Sequence, residues 1–228
     1  DGMGGSNAGE VASRMAVDAV LREFAAAPAD DAPTALAHAV QAANSEVWKY
    51  SRTHADLNGM GTTCTVLAVR GGEVLVAHVG DSRAYLVRGQ HARQITTDHS
   101  LVAQLVARQQ LTAEEARHDP RRNVVTRSVG VAPDVDVDVV AVGEPLQDRD
   151  TLVVCSDGLH GQMSDGEIAA LATGESLDQA CLELIALANE RGGPDNITVA
   201  LARFERTGGP SGSPLGRWIR SLGKRRGE

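Results

Sequence analysis

The sequence predicts a layered α+β fold, with helices and antiparallel strands in separate runs rather than a parallel doubly wound sheet. Three observations predict it. The first 50 residues carry apolar side chains at helical spacing. Residues 62–95 then change to short strand-like runs parted by Gly-containing turns. The last third returns to a pair of helix patterns before one final strand. With 228 residues the chain is long enough for one domain with a substantial core. Aromatic residues are 3% of it and hydrophobic residues 42%, so Ala, Val, Leu and Ile must build that core.

Residues 6–27 place Val11, Met15, Val17, Ala19, Val20 and Phe24 on a helix, and Pro28 and Pro33 part it from a second helix over 34–52. Residues 62–69, 73–79, 83–88 and 92–95 read as strands turning at Gly71-Gly72 and Gly89-Gln90, the pattern of a β-meander. A helical segment follows over 98–109, and Thr112-Ala113-Glu114-Glu115 has the form of a capping box for a short second one. Residues 135–142 alternate Val with Asp, as a strand with one wet face does. Asp134, Asp136 and Asp138 do not make a calcium loop, because the position that needs Gly is Val139. Residues 151–155 are a short apolar strand. Ser164 with Glu167, and Ser176 with Gln179, open helices over 165–173 and 177–191, and 197–204 is the last strand. A Gly/Ser/Pro linker at 208–214 separates the body, 1–205, from a tail within 206–228. Leu215, Trp218, Ile219 and Leu222 stand at i, i+3, i+4 and i+7 among Arg217, Arg220, Lys224, Arg225 and Arg226. The tail therefore reads either as a disordered soluble tail or as a basic amphipathic helix suited to an anionic membrane surface.

Charge is uneven. The net is −8, yet 206–228 hold six basic residues and one acidic, which leaves the body at −13. An acidic body excludes a nucleic-acid binder and suits metal binding. Cys64, Cys155 and Cys181 are far apart, odd in number and set in apolar contexts, with no zinc or disulfide spacing; they read as buried reduced thiols of a cytoplasmic protein. No apolar run reaches the length of a membrane span. The chain opens on Asp rather than Met, which is expected of a fragment.

Four Asp-centred turns stand out: Asp1-Gly2-Met3-Gly4-Gly5, Gly80-Asp81-Ser82-Arg83, Ser156-Asp157-Gly158 and Pro194-Asp195-Asn196. Three of them border apolar runs, so carboxylates fall at strand ends where a sheet could gather them. Gathered carboxylates repel unless cations lie between them, and hard oxygen ligands suit Mg²⁺ or Mn²⁺. Two such ions make a hydrolase centre.

Eight strings, in order through 1–205, resemble the bacterial form of the metal-dependent protein serine/threonine phosphatases of the PP2C (PPM) family. They are Asp1-Gly-Met-Gly-Gly with Gly9-Glu10-Val-Ala-Ser13, Gly61-Thr62-Thr63, His78-Val-Gly-Asp-Ser-Arg83, Thr97-Asp98-His99-Ser100, Val125-Thr-Arg-Ser-Val-Gly130, Ser156-Asp-Gly-Leu159 and Gly193-Pro-Asp-Asn-Ile-Thr198. The resemblance implies a four-layer α-β-β-α sandwich of two antiparallel sheets flanked by helix pairs, here with its first strands missing. It implies that Asp1 bridges two core metals, that the Gly2 carbonyl binds the first, and that Asp157 and Asp195 complete the second. Asp81, with Asp157, would form a weaker third site. The cofactors would be Mn²⁺ or Mg²⁺. Asp1, Asp157 and Asp195 would act through a metal-activated water, without a phosphoenzyme, on phosphoserine and phosphothreonine of proteins, among them a cognate Ser/Thr kinase and its substrates. Residues 100–130 would be a flap beside the site.

Other residues have plainer readings. Glu10 is a helix-face or capping residue, Asp98 and His99 pin the following helix, and Arg83 and Arg127 are structural ion-pair residues. His78 lies in a strand and His160 on a loop, neither catalytic. Met3 stands where many eukaryotic members carry a His proposed as general acid. The phosphate-binding Arg and acidic metal-shell residue that the family carries before its first Asp are absent from this chain, so the fragment itself is expected to turn over little. The alternative reading is a regulatory binding module that keeps the fold and has weakened catalysis.

Overall fold

The chain forms two units in the computed structural model, Asp1–Ser82 with Thr97–Val142, and Arg83–Thr96 with Gly143–Glu228. Residues 1–4, 8–28, 30–70, 73–206 and 216–225 are described. In chain order the elements are β1 (Gly2–Met3), α1 (Ala8–Ala26), α2 (Ala32–Thr53), a 3₁₀ turn (Ala55–Leu57), β2 (Gly61–Thr62), β3 (Cys64–Arg70), β4 (Glu73–Val79), β5 (Arg83–Arg88) and β6 (His91–Gln94). Then come α3 (Leu101–Ala107), α4 (Ala113–His118), β7 (Asp138–Ala141), β8 (Thr151–Cys155), α5 (Asp157–His160), α6 (Asp165–Ala172), α7 (Leu177–Glu190), β9 (Ile197–Arg206) and β10 (Gly216–Arg225). This is the expected α+β class, with strands that pair antiparallel throughout.

In the first unit, Ala12, Ala16, Ala19 and Val20 form the buried stripe of α1, and Leu36, Ala39, Val40, Ala43 and Val47 that of α2. Small side chains let the two helices approach closely, which is how a chain so poor in aromatics still fills its core. Asp31 opens α2, its carboxylate accepting from Thr34 N at 3.1 Å. Cys64, Ala68, Leu75, Ala77 and Val79 meet this helix pair from the three-stranded sheet β3-β4-β7. A separate two-stranded sheet, β1-β2, pairs Gly2 with Thr62 and Met3 with Gly61.

In the second unit the sheet order is β10-β9-β8-β5-β6. Tyr85, Val87, Val153, Cys155, Ile197, Val199 and Leu201 pack with Ile168, Ala169 and Ala172 of α6 and Ala180, Cys181, Leu184 and Ala188 of α7. All three cysteines are buried and unbridged, and burial pushes the Cys64 thiol up to about 11.

Three expectations are corrected. The strands of 62–95 are not one meander. β3 and β4 form a hairpin in one sheet, β5 and β6 a hairpin in the other, and the chain leaves the first sheet at Gly80-Asp81-Ser82. β4 already has β3 and β7 as neighbours, and β5 has β8 and β6, so neither has a free edge for the other. The helix expected from residue 98 starts at Leu101, because Ser100 caps it by accepting from Ala103 N and residues 97–99 are held elsewhere. The tail is a strand rather than a helix: β10 runs antiparallel to β9 from Gly216 opposite Arg206 to Arg225 opposite Ile197. A helix this short is marginal in water, while the edge of β9 offers a full row of backbone partners. The linker residues 207–215 lie outside the described residues. Among those described, no helix is long and apolar enough to cross a membrane.

Candidate metal centre

Each unit holds two of the four Asp turns, and hydroxyl and backbone groups bond to each pair.

In the first unit the Asp1 carbonyl accepts from Thr63 N at 2.9 Å and from Thr62 Oγ1 at 3.0 Å. Gly2 lies against the first turn of α1 so closely that a Cβ there would overlap the Gly9 carbonyl. Thr63 also reaches the second turn. Its Oγ1 lies 2.8 Å from Ser82 Oγ, and a Cβ on Gly80 would come within 2.6 Å of the Thr63 Cβ. Gly80 has φ +116°, in the left-handed region that favours glycine, and the buried Asp81 follows it. Thr62-Thr63 therefore ties Asp1 and Asp81 to one segment. The string Gly61-Thr62-Thr63 signals this in the sequence, although no role could be read from it there.

In the second unit β8 ends at Cys155 and Asp157 opens the single turn of α5. Ser156 pairs with β9: its N donates to Thr198 O at 3.0 Å, and its Oγ accepts from Thr198 N at 3.0 Å and donates to Asn196 O at 3.2 Å. A Cβ on Gly158 would overlap the Asn196 carbonyl oxygen. The Asp157 and Asp195 turns are thus packed backbone to backbone, and Asp195 Oδ1 accepts from Asn196 N at 2.7 Å. Asp157 Oδ1 is buried with no hydrogen-bond partner. A carboxylate oxygen withdrawn from water and left unpaired is the donor that a hard cation takes. The chemistry of this oxygen therefore fits a divalent metal.

Among the described residues no group of three or more His, Cys, Asp or Glu side chains is gathered as a cluster. Asp1, Gly2 and Asp81 belong to the first unit, and Asp157 and Asp195 to the second.

The remaining residues sort as follows. Glu10 is exposed in the first turn of α1. Arg83 donates to the Tyr85 hydroxyl at 3.2 Å. Arg127 donates to Asp138 Oδ1 at 2.7 Å, an ion pair as expected. His78 is fully buried in β4. His99 does more than pin α3: its N donates to Gly80 O at 2.7 Å and its Nδ1 accepts from Gly80 N at 3.0 Å. Within the 100–130 segment Ser100 bridges Val125, Leu101 N donates to Val124 O at 2.8 Å, and Thr126 N donates to His99 O at 2.7 Å.

Asp turns at strand ends, an unpartnered buried carboxylate oxygen and helices packed on antiparallel sheets are the features with which the comparisons to known proteins agree. A family model described as protein phosphatase 2C matches residues 1–202. The chain is 41% identical over 212 residues to the serine/threonine phosphatase stp of Listeria monocytogenes, covering 91% of this chain and 83% of that one. Its fold matches the crystal structure of the serine/threonine phosphatase Stp1 from Staphylococcus aureus with a TM-score of 0.82, at 36% identity over 89% of this chain and 80% of that one. It also matches the catalytic domain of the phosphatase PstP in complex with two manganese ions, with a TM-score of 0.78 at 35% identity, covering 88% and 83%. The chain belongs to the protein phosphatase 2C family. It is a protein serine/threonine phosphatase.

Proposed function

We propose that Asp1, the Gly2 carbonyl, Asp157 and Asp195 hold two divalent cations, Mn²⁺ or Mg²⁺, for hydrolysis of phosphoserine and phosphothreonine on proteins, and that Asp81 with Asp157 holds a weaker third. The observation that carries this is Asp157 Oδ1, buried and without a partner beside a glycine packed on the Asn196 carbonyl. The manganese pair of the PstP relative supports the same metal number here. When bound, two such cations supply an activated water near neutral pH and neutralise phosphoryl charge. The chain's own part is positional. Thr62 and Thr63 fix the Asp1 main chain, Ser156 locks the Asp157 turn to β9, and Gly2 and Gly158 let backbone carbonyls come close. Met3 has no titratable group, so the leaving oxygen takes its proton from water. Substrates are proteins phosphorylated by a Ser/Thr kinase, and the kinase itself is one of them. For the tail, basic charge alone supports contact with an anionic membrane surface, since the amphipathic helix is replaced by β10.

The test is hydrolysis of a phosphothreonine peptide by the full-length protein with and without Mn²⁺, beside an Asp157→Asn variant. Turnover should require the metal and fall by roughly a thousandfold in the variant. Full turnover in excess chelator would refute the metal reading. Tight Mn²⁺ binding without hydrolysis would replace it with the binding-module reading.

A further inference from the structure

The Gly80-Asp81-Ser82 turn is clamped from two sides. On one side stands Thr63, as described. On the other stands His99, 7% exposed and contributed by the segment that leads into α3. Main chain and ring both grip the same residue: His99 N donates to Gly80 O, and Gly80 N donates to His99 Nδ1. A backbone N–H only donates, so Nδ1 is the acceptor and the ring proton is on Nε2. Nε2 donates to Asp138 Oδ2 at 3.1 Å. Asp138, on β7, accepts from Arg127 NH1 through its other oxygen, and NH1 lies 3.0 Å from the same ring nitrogen. One carboxylate thus fixes both the tautomer of His99 and the position of Arg127, which follows the base of the flap. The neighbouring residue, Ser100, makes the bridge to Val125 that closes that base.

We propose that His99 is a positioning residue for Asp81, holding the metal-binding turn in place from the base of the flap, with Asp138 and Arg127 holding His99. This rests on the metal role proposed for Asp81. A purely structural His99 would affect the melting temperature and nothing else. A positioning His99 sets where the Asp81 carboxylate stands, and misplacing a catalytic group by about 1 Å costs up to about a hundredfold in rate. The backbone half of the grip survives any substitution at 99, so the variants isolate the ring.

The experiment uses the full-length protein with His99→Phe, His99→Asn and Asp138→Asn, and His118→Ala as a control on the exposed face of α4. Three quantities are read: hydrogen exchange of the Gly80 amide in metal-free protein, the Mn²⁺ concentration for half-maximal turnover of a phosphothreonine peptide, and kcat and KM separately. In His99→Phe the Gly80 amide should exchange about tenfold faster, for loss of one buried hydrogen bond. The Mn²⁺ requirement should rise and kcat fall roughly ten- to a hundredfold, with KM unchanged. His99→Asn, whose side-chain oxygen can accept from Gly80 N, should recover most of this. Asp138→Asn should fall between. If His99→Phe fails to fold, the last two variants decide. Gly80 exchange unchanged in His99→Phe, or kcat and Mn²⁺ requirement within about twofold of wild type, overturns the proposal. Wild-type protein without Mn²⁺-dependent turnover overturns instead the metal reading on which it rests, while the exchange result still reports on the clamp.

Discussion

His78 makes the stability of the first unit depend on pH. The ring is 1% exposed in the middle of the sheet, opposite Thr65 on β3 and Asp138 on β7. Nδ1 shares a 2.9 Å hydrogen bond with Thr65 Oγ1, Nε2 has no partner, and the His99 ring lies 4.7 Å away. Burial, reinforced by His99, pushes the His78 pKa down from 6.5 to about 4, against the opposing pull of Asp98 and Asp138. The folded chain therefore keeps this ring neutral while the unfolded chain protonates it below 6.5. The unfolded state binds more protons between the two values, so stability is fully present above 6.5 and is lost as pH falls towards 4. A gap of about 2.5 units corresponds to about 3 kcal/mol at the low-pH limit, of which about 2 kcal/mol is lost by pH 5. His78→Leu should remove this dependence. At pH 7.5 the variant should lose about 1 kcal/mol for the bond to Thr65, whose hydroxyl still donates to Ser82 O at 3.3 Å. Urea denaturation, followed by Trp48 fluorescence in a Trp218→Phe background, measures both proteins at pH 7.5, 6.0 and 5.0. Near pH 5 the variant should match or exceed the parent. Parallel losses of stability in the two proteins would refute the assignment of the buried neutral ring.

Two further substitutions probe the proposed metal ligands. Gly158→Ala puts a methyl group onto the Asn196 carbonyl and must displace the Asp195 turn; Mn²⁺ affinity by calorimetry and turnover should both fall, by roughly ten- to a hundredfold, in a protein that keeps its far-ultraviolet spectrum. Unchanged affinity would show that the Asp157 and Asp195 turns act independently. Asp81→Ala should leave tight binding of the core pair intact and slow turnover, and loss of all Mn²⁺ binding would show that Asp81 belongs to the core pair.

Much of this architecture is legible in the sequence because its signals are local. Thr112 with Glu115 and Ser164 with Glu167 have the spacing of capping boxes, and both form with reciprocal bonds. Ser176 caps α7 by accepting from Gln179 N. The Ala-rich stripes of α1 and α2 announce a close helix pair. What stays illegible depends on partners distant in the chain. Nothing near residues 80–82 says that β4 will pair with β7, some 60 residues on, and so release β5 into another sheet. Apolar spacing in 215–222 fits a helix as well as it fits chance, until the edge of β9 is known to be available. Asp138 reads as one of several alternating acids, and its tie to His99 and Arg127 joins three segments that local pattern cannot connect. The Asp turns themselves are conspicuous, yet Thr62, Thr63, Ser156 and Asn196, which hold them, look like ordinary turn and strand residues.

The contrast among carboxylates is what supports the proposed role of Asp157. Asp150 is almost fully buried and fully matched. Arg88 meets its two oxygens at 2.9 and 2.7 Å, and Gln147 N adds a third bond at 2.7 Å. Asp138 has Arg127 and His99. Each is held by a permanent donor, as the burial of the Asp150 charge demands. Asp157 lies in an equally well-ordered turn, with its neighbours Ser156 and Gly158 both locked onto β9, yet its buried Oδ1 has none. Leaving such an acceptor unpaired costs about 1–3 kcal/mol. A cation bound to the folded chain at a hundred times its dissociation constant returns about 2.7 kcal/mol, an amount of the same size. A turn shaped for folding alone would supply a donor from the protein, as the Asp150 turn does. A cation at that position, as proposed above, should raise the stability of the second unit when Mn²⁺ is added and lower it on chelation.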